Sequence, residues 1–286
     1  MRWSTGDRSN IEDARGRSGG GVRGGVPMGI GGILVLLVLS WATGTDFLSL
    51  LGGGTQGPSS SVSEPAGELQ TTPEEERMVD MVDAVAGDAQ DTWQRLLGDR
   101  YQRTRVTLFR DAVQSACGAA ESATGPFYCP ADQKVYLDLG FFKELSDRFG
   151  APGDFAQAYV VAHEFGHHVQ NLLGTNERVR AGSMGENSAS VALELQADCY
   201  AGVWGNAASG GRAFQAGRVQ LEPGDAEEAL RAASVIGDDH LQKMSTGRVQ
   251  PERFTHGSSA QRMEWFQRGM RTGDPRQCDT FAALTQ

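Results

Sequence analysis

Apolar residues recur at helical spacing along several stretches of the chain and alternate with polar residues in a few shorter ones. A helix is predicted to open at Thr72, because this N-cap residue precedes a proline, three glutamates and an apolar stripe. Alternation over residues 104–109 predicts a strand, and residues 125–138 are predicted to form two strands around a turn. The short stretch around Cys117 is predicted to be helical.

Downstream, helical spacing dominates. Helices are predicted near residues 153–174, 187–202, 223–244 and 260–270, with Gly174 as the natural end of the first of them. With the strands upstream, this pattern predicts an α+β fold that is mainly helical and contains a small antiparallel sheet.

The N-terminal quarter has a different pattern. Residues 1–25 are rich in Gly, Ser, Arg and Asp and are predicted to be disordered, whereas residues 26–42 carry no charge and are predicted to form a transmembrane helix. The arginines on its N-terminal side favour a cytoplasmic N-terminus and a single-pass protein of the cell membrane, with its domain outside the cytoplasm. A cleaved secretory signal is the alternative. Residues 43–71 are predicted to be a flexible linker, and residues 72–286 the folded domain.

Charge excludes one class of partner. The chain has 26 basic and 36 acidic residues, a net charge of -10, and no run rich in Lys and Arg after residue 25. Because a phosphate-binding surface requires a basic patch, nucleic acid is not expected as a partner. A length of 286 residues allows one catalytic domain and something smaller.

The four cysteines are predicted to form disulfides if the domain lies outside the cytoplasm. Cys117 and Cys129 are close in the sequence across a turn, which favours their pairing and leaves Cys199 for Cys278. Three pairings are possible from the sequence alone.

The candidate chemistry lies in the predicted helix at residues 153–174. It contains His163-Glu164-x-x-His167 within an otherwise apolar helix. Residues four apart share one face of a helix, so both histidines can bind one zinc ion while Glu164 reaches its water. A catalytic zinc site normally has three protein ligands, and one is still missing.

The third ligand is predicted on the next helix. Gln170 and Leu173 stand where one class of zinc peptidase has Gly and His, so that class is excluded. Glu194 and Asp198 are the only acids in an otherwise apolar helix and lie four residues apart. Glu194 is predicted to bind the metal, and Asp198 to orient a ligand histidine. A buried carboxylate pair neutralised by an arginine, or a cysteine as zinc ligand, are the alternatives.

These motifs resemble those of known zinc peptidases. The pattern His163-Glu164-x-x-His167 followed by Glu194-x-x-x-Asp198 is similar to the glutamate-liganded enzymes. The longer strings GPFYCPADQKVYLDL, HEFGHHVQNLLG, ELQADCYAG and FTHGSSAQR resemble a bacterial membrane-anchored family of neutral zinc metallopeptidases. The resemblance covers residues 72–280 and implies a zincin-like fold that hydrolyses peptide bonds.

The resemblance extends to two more residues. In related membrane zinc peptidases that process prenylated proteins, a histidine and an arginine at the spacing of His256 and Arg262 lie beside the zinc. This implies that His256 stabilises the developing negative charge, and that Arg262 either assists it or holds Asp198 or a substrate carbonyl. The alternative is that His256 only packs within its loop. His168 and His240 are expected to support the site or to lie at the surface.

Together these features predict a membrane-tethered zinc metallopeptidase, most simply an endopeptidase, that acts on peptides or proteins with Glu164 as general base. The strands of residues 125–138 are the candidate sheet edge for the substrate, although an ordinary structural hairpin is equally compatible with them. The alternative function is a catalytically silent zinc-binding module with a regulatory or interaction role. The sequence makes no prediction about the oligomeric state.

Overall fold

The computed structural model describes residues 1–16, 69–180, 182–210 and 218–285. Within these residues the fold is α+β, with small sheets beside a larger set of helices. The strands are β1 Arg2–Trp3, β2 Ile11–Asp13, β3 Val106–Phe109, β4 Ala112–Ser115, β5 Gly118–Glu121, β6 Phe127–Cys129, β7 Lys134–Asp138 and β8 Val219–Gln220. The helices are α1 Pro73–Leu97, α2 Gly140–Asp147, α3 Asp154–Leu172, α4 Ala189–Ala208, α5 Asp225–Val235, α6 Asp238–Thr246 and α7 Ser259–Thr272.

Local signals account for the start of α1. The hydroxyl of Thr72 accepts a hydrogen bond from the backbone amide of Glu75 (3.2 Å), and Pro73 occupies the first helical position. An N-cap side chain satisfies an amide that has no partner within the helix, and proline there sacrifices no hydrogen bond. The predicted opening of this helix is confirmed.

The main sheet is mixed, so the prediction of a purely antiparallel sheet is wrong. Its strand order is β2-β3-β7-β6. β2 runs parallel to β3 and β3 parallel to β7, while β6 and β7 form the antiparallel pair of this sheet. Parallel pairs join segments that are far apart in the sequence, and strand alternation alone does not show which segments pair.

The prediction of a helix around Cys117 is also wrong. Residues 112–121 form an antiparallel hairpin of β4 and β5, with Cys117 in its turn and Gly118 at φ +119°. The disulfide from Cys117 to Cys129 ties this turn to the end of β6. A tight turn at a positive φ breaks any helix, and this outweighs the short apolar pattern on either side.

Residues 1–16 are folded, so the prediction that residues 1–25 are disordered is wrong for this part. β1 pairs with β8 and β2 pairs with β3. The side chain of Arg15 is 1% exposed and forms ion pairs with Asp13 (2.7 Å), Glu75 (2.8 Å) and Glu76 (3.1 Å). We call residues 1–16 the N-terminal segment. Its composition resembles that of a disordered tail. Its order comes from partners in other parts of the chain, which the composition of the segment does not show.

The membrane prediction is corrected as well. No helix among the described residues is long and apolar enough to cross a bilayer, and the predicted anchor at residues 26–42 and most of the predicted linker lie outside them. The backbone pairing of Ile11 with Val106 places the N-terminal segment and the domain side by side. A single crossing between them would put them on opposite sides of a membrane. The predicted single-pass location, with a cytoplasmic N-terminus and the domain outside, is therefore wrong.

The core is built around α3, which contacts α1, α4 and α5 as well as β6 and β7. The apolar side of the sheet, Val106, Leu108, Val135 and Leu137, is buried against it. The predicted helix over residues 223–244 is two helices, since Gly237 interrupts it where a Cβ atom would overlap Ser259. This break places Asp238 beside the loop that precedes α7.

Glycines bring α4 and α7 unusually close together. A Cβ atom at Gly202 would overlap the carbonyl oxygen of Phe266, and one at Gly269 would overlap the carbonyl oxygen of Cys199. Backbone atoms cannot rotate away as a side chain can, so these positions require glycine. The contact holds α7, which carries Arg262, directly against α4, which carries Glu194 and Asp198.

Replacing Gly202 with alanine is expected to lower the free energy of unfolding by about 3 kcal/mol, the upper end for overpacking a core. Gly205→Ala on the same helix is the matched control, because its Cβ atom would overlap only the flexible side chain of Met270 and would be in ordinary contact with Phe155. Its cost is expected to stay below about 1 kcal/mol, since alanine also favours the helix. Denaturant unfolding measures both, and equal losses would contradict the close backbone packing.

Candidate metal centre

Two adjacent helices supply the candidate metal centre. α3 carries His163, Glu164 and His167, and α4 carries Glu194. Gly166 lies where the helices meet, and a Cβ atom on it would be 3.0 Å from the Cα atom of Ala197. The small residue at this point lets the two turns that carry the candidate ligands approach each other. The spacing of the motif therefore sets both the face of α3 and its distance to α4.

The three predicted ligand residues converge on one point. His163, His167 and Glu194 each offer a donor atom within 4.8 Å of the others. Nε2 of His163 is 3.2 Å from one carboxylate oxygen of Glu194, and Nε2 of His167 is 3.5 Å from the other. Two imidazole nitrogens and a carboxylate oxygen are the donor set of a catalytic zinc site that keeps a position open. The residues present therefore fit a zinc ion.

Asp198 orients the ring of His163 through Nδ1, the nitrogen that faces away from Glu194. Nδ1 of His163 donates a hydrogen bond to Oδ1 of Asp198 (2.8 Å), which leaves Nε2 as the nitrogen that faces Glu194. Asp198 is fully buried and also accepts hydrogen bonds from Tyr159 (2.5 Å) and from Arg262 (2.9 and 3.0 Å). Arg262 thus holds Asp198, which is one of the roles that the resemblance allowed for this arginine. Arg262 is itself only 3% exposed.

The charged groups of this cluster shift one another's pKa values toward the charged forms. Burial raises the pKa of Asp198, but the charges of Arg262 and His163 outweigh burial and lower it. Burial lowers the pKa of His163, but the charge of Asp198 and its hydrogen bond outweigh burial and raise it to about 10. Burial likewise raises the pKa of Glu194, and the two histidines lower it well below its usual range. Both acids are therefore carboxylates, the form in which a carboxyl group binds a metal.

A neutral amide, which the sequence did not reveal, orients the second histidine. Nδ1 of His167 is 2.8 Å from Oε1 of Gln170, one turn further along α3. From the sequence, Gln170 was informative only because it excludes one class of zinc peptidase. A glutamine at this spacing is common on helices, so nothing in the pattern distinguishes it as a partner of a ligand.

Glu164 lies on the same turn as the ligands. It is 6% exposed, and among the described residues no hydrogen bond holds its carboxylate. An unengaged carboxylate next to two imidazoles can accept a proton from a water molecule in the site. The position predicted for the general base is therefore available for that role.

His256 lies in the loop before α7, and Asp238 holds this loop. One carboxylate oxygen of Asp238 accepts hydrogen bonds from the backbone amides of Thr255 (2.7 Å), His256 (2.7 Å) and Gly257 (3.1 Å). The other is 3.2 Å from Nδ1 of His256. The side chain of His256 is 53% exposed, and its charge contributes to the low pKa of Glu194. The sequence did not identify Asp238 as the residue that orients His256.

The remaining histidine on α3 has a structural position. His168 is fully buried, where Nε2 donates to the carbonyl oxygen of Gln102 (2.6 Å) and Nδ1 accepts from the hydroxyl of Tyr128 (3.0 Å). Burial lowers its pKa, so it stays neutral. Tyr128 belongs to β6, and His168 therefore fastens this strand to the turn of α3 that carries His167. His240 lies half-buried on α6 and is not among the three clustered donors.

Both predicted disulfides are present. Cys117 is bonded to Cys129, and Cys199 to Cys278. Cys199 lies on α4 directly after Asp198, so the second disulfide ties the chain after α7 to a ligand-bearing helix. Because all four cysteines are paired, none of them is a metal ligand.

A His-Glu-x-x-His helix whose third donor is a glutamate on the following helix defines the class of glutamate-liganded zinc peptidases. The family described as "Putative neutral zinc metallopeptidase" matches residues 1–281, and the chain belongs to this family. The match includes the N-terminal segment, in agreement with its place in the main sheet.

The chain is similar to proteins of Escherichia coli and of mycobacteria. The chain is 44% identical to "Uncharacterized protein YpfJ" of Escherichia coli K12 over 296 residues, which cover 98% of this chain and 99% of that protein. It is 50% identical to "Uncharacterized protein Rv2575" of Mycobacterium tuberculosis H37Rv over 195 residues, 67% of this chain and 66% of that protein. No solved structure matches the chain.

Proposed function

We propose that the chain is a zinc-dependent endopeptidase in which His163, His167 and Glu194 bind the metal and Glu164 is the general base. The observation that carries this proposal is the convergence of the two Nε2 atoms on the carboxylate of Glu194. The other nitrogen of each ring is already hydrogen-bonded, so neither ring is free to turn away. A purely structural zinc site has no need of a base and usually fills its fourth position with a protein ligand.

Each side chain of the site has a separate role in the proposed hydrolysis. When bound, zinc supplies Lewis-acid chemistry, lowering the pKa of a water molecule and polarising the scissile carbonyl. Glu164 accepts the proton of the attacking water at its carboxylate and returns it to the leaving amine. His256 keeps the proton on Nδ1 toward Asp238 and can offer Nε2 to the developing oxyanion. Arg262 acts through Asp198 on the orientation of His163 and is a positioning residue.

The sheet supports a peptide as substrate. β6 is an edge strand with β7 as its only neighbour among the described strands, so its other side presents unpaired backbone groups. His168 and Asn171 on α3 both hydrogen-bond the hydroxyl of Tyr128 on β6, and this edge therefore lies beside the turn that carries His167. An extended peptide can add to such an edge as a further strand, with its backbone beside the metal ligands.

Glu194→Ala is expected to lower the bound zinc from about one ion per chain to a small fraction of that value, because two imidazoles alone make a weak site. Elemental analysis of the full-length protein measures this directly. Glu177→Ala is the matched control, since Glu177 is exposed in the loop after α3. Wild-type protein and the control are expected to cleave an unbiased peptide library, and chelator-treated protein is not. Unchanged zinc in Glu194→Ala would assign the third ligand elsewhere.

A further inference from the structure

A series of buried amides leads from His167 to the backbone carbonyl of Cys278. Nδ1 of His167 is hydrogen-bonded to Oε1 of Gln170 (2.8 Å). Nε2 of Gln170 donates to Oε1 of Gln196 (3.1 Å). Nε2 of Gln196 in turn donates to the carbonyl oxygen of Cys278 (2.9 Å). Gln170 is 1% exposed, Gln196 7% and Cys278 0%. Buried amides that satisfy one another in this way are fixed in orientation, because no water can replace a lost partner.

The backbone carbonyls of Leu193 and Cys278 determine the direction of the hydrogen bonds between these amides. A carbonyl oxygen only accepts, so the contacts with Leu193 (2.7 Å) and Cys278 require the Nε2 atoms of Gln170 and Gln196 to point at them. The Oε1 atom of Gln170 must then face His167. An amide oxygen cannot donate, so Nδ1 of His167 carries a proton and Nε2 is the nitrogen left to face Glu194.

From this geometry we infer that Gln170 and Gln196 are positioning residues that fix the tautomer and ring angle of His167 from the carbonyl of Cys278. The inference rests on the proposed function, since His167 must be a zinc ligand. Asp198 on α4 does the same for His163, but as a charged partner. The two histidines are therefore oriented by different means, one by a carboxylate and one by neutral amides.

The disulfide gives this amide chain a fixed end. Cys278 lies 79 residues beyond Cys199 and is bonded to it, and the hydroxyl of Thr280 donates to the carbonyl oxygen of Ala192 on the same helix. The segment after α7 is thus held to α4 at two points that flank the turn carrying Glu194. The segment after α7 thereby contributes to the orientation of His167.

The test is the zinc dissociation constant of full-length variants, measured by competition with a chromophoric chelator. Gln170→Leu is expected to bind zinc about 10–100-fold more weakly, as for loss of other partners of metal-bound histidines. Gln196→Met is expected to weaken zinc binding by a smaller factor, although Gln196 does not touch a ligand. Because Gln196 acts through Gln170, the double variant is expected to bind zinc as Gln170→Leu does. The visible spectrum of the Co²⁺-loaded variants is expected to change in parallel.

Gln90→Met is the matched control. Gln90 is also 1% exposed and hydrogen-bonds Asn10 and the amide of Thr104, away from the metal centre. It is expected to lose stability and keep wild-type zinc affinity and Co²⁺ spectrum. Wild-type affinity in Gln196→Met, additive losses in the double variant, or an equal loss in Gln90→Met would each overturn the inference while the proposed function stands. A wild-type chain that binds no zinc would overturn both.

Discussion

Replacing Glu164 with glutamine is expected to abolish measurable peptide hydrolysis while zinc stays bound. Glutamine has the same shape, but its amide cannot accept the proton of the attacking water. General base catalysis typically contributes a factor of about a hundred to ten thousand, and turnover should fall by at least this factor. Glu164 makes no hydrogen bond to another described residue, so the substitution leaves no partner unsatisfied there. Initial rates on a peptide identified by library cleavage give the measurement.

The control for this experiment is Glu177→Gln, the same chemical change at an exposed acid of the loop after α3. It is expected to keep wild-type turnover. Elemental analysis of both variants must show about one zinc ion per chain, so that a loss of metal is not mistaken for a loss of the base. Normal turnover in zinc-loaded Glu164→Gln would remove Glu164 from the mechanism.

Removing the N-terminal segment, residues 1–16, is expected to lower the free energy of unfolding by several kcal/mol or to prevent folding. The deletion exposes the edge of β3 and leaves Glu75 and Glu76 without the cation of Arg15. Loss of a strand of the main sheet together with these partly buried ion pairs removes a large part of the roughly 5–15 kcal/mol that stabilises a typical protein. Thermal and denaturant unfolding of the shortened chain would show the loss.

Two comparisons make this result specific. Arg2→Met changes an arginine of the same segment whose side chain is 66% exposed, and it is expected to have little effect. A synthetic peptide of residues 1–16 with a free amino group is expected to restore part of the lost stability when added to the shortened chain. A shortened chain as stable as wild type would mean that the segment is not part of the folded domain.

The sequence predicts the metal centre better than the fold around it. Ligands on helices repeat at i and i+4, and an acid on an apolar helix has few explanations besides a metal or a charged partner. That reasoning brought His163, His167, Glu194 and Asp198 together, and the structure places them in one cluster. It also favoured the two disulfides that are present.

The residues that sequence reasoning missed carry no periodic signal. Gln170 is a neutral amide at an ordinary helical position, and Asp238 becomes a partner of His256 only because the helix breaks at Gly237. β2 is three residues long within a Gly- and Arg-rich stretch, and its pairing with β3 depends on residues far along the chain. Contacts of this kind follow from the assembled fold and not from any local pattern.

The amino terminus of the protein has a consequence for its biogenesis. The α-amino group of Met1 lies 3.0 Å from the carboxylate of Asp225, and Arg2 pairs with Gln220. Met1 and Arg2 therefore leave the ribosome more than two hundred residues ahead of these partners. Contacts between such distant positions form late and slowly. Until then β1 has no strand partner, so nascent chains that stall before residue 219 are expected to be more prone to aggregation than the finished chain.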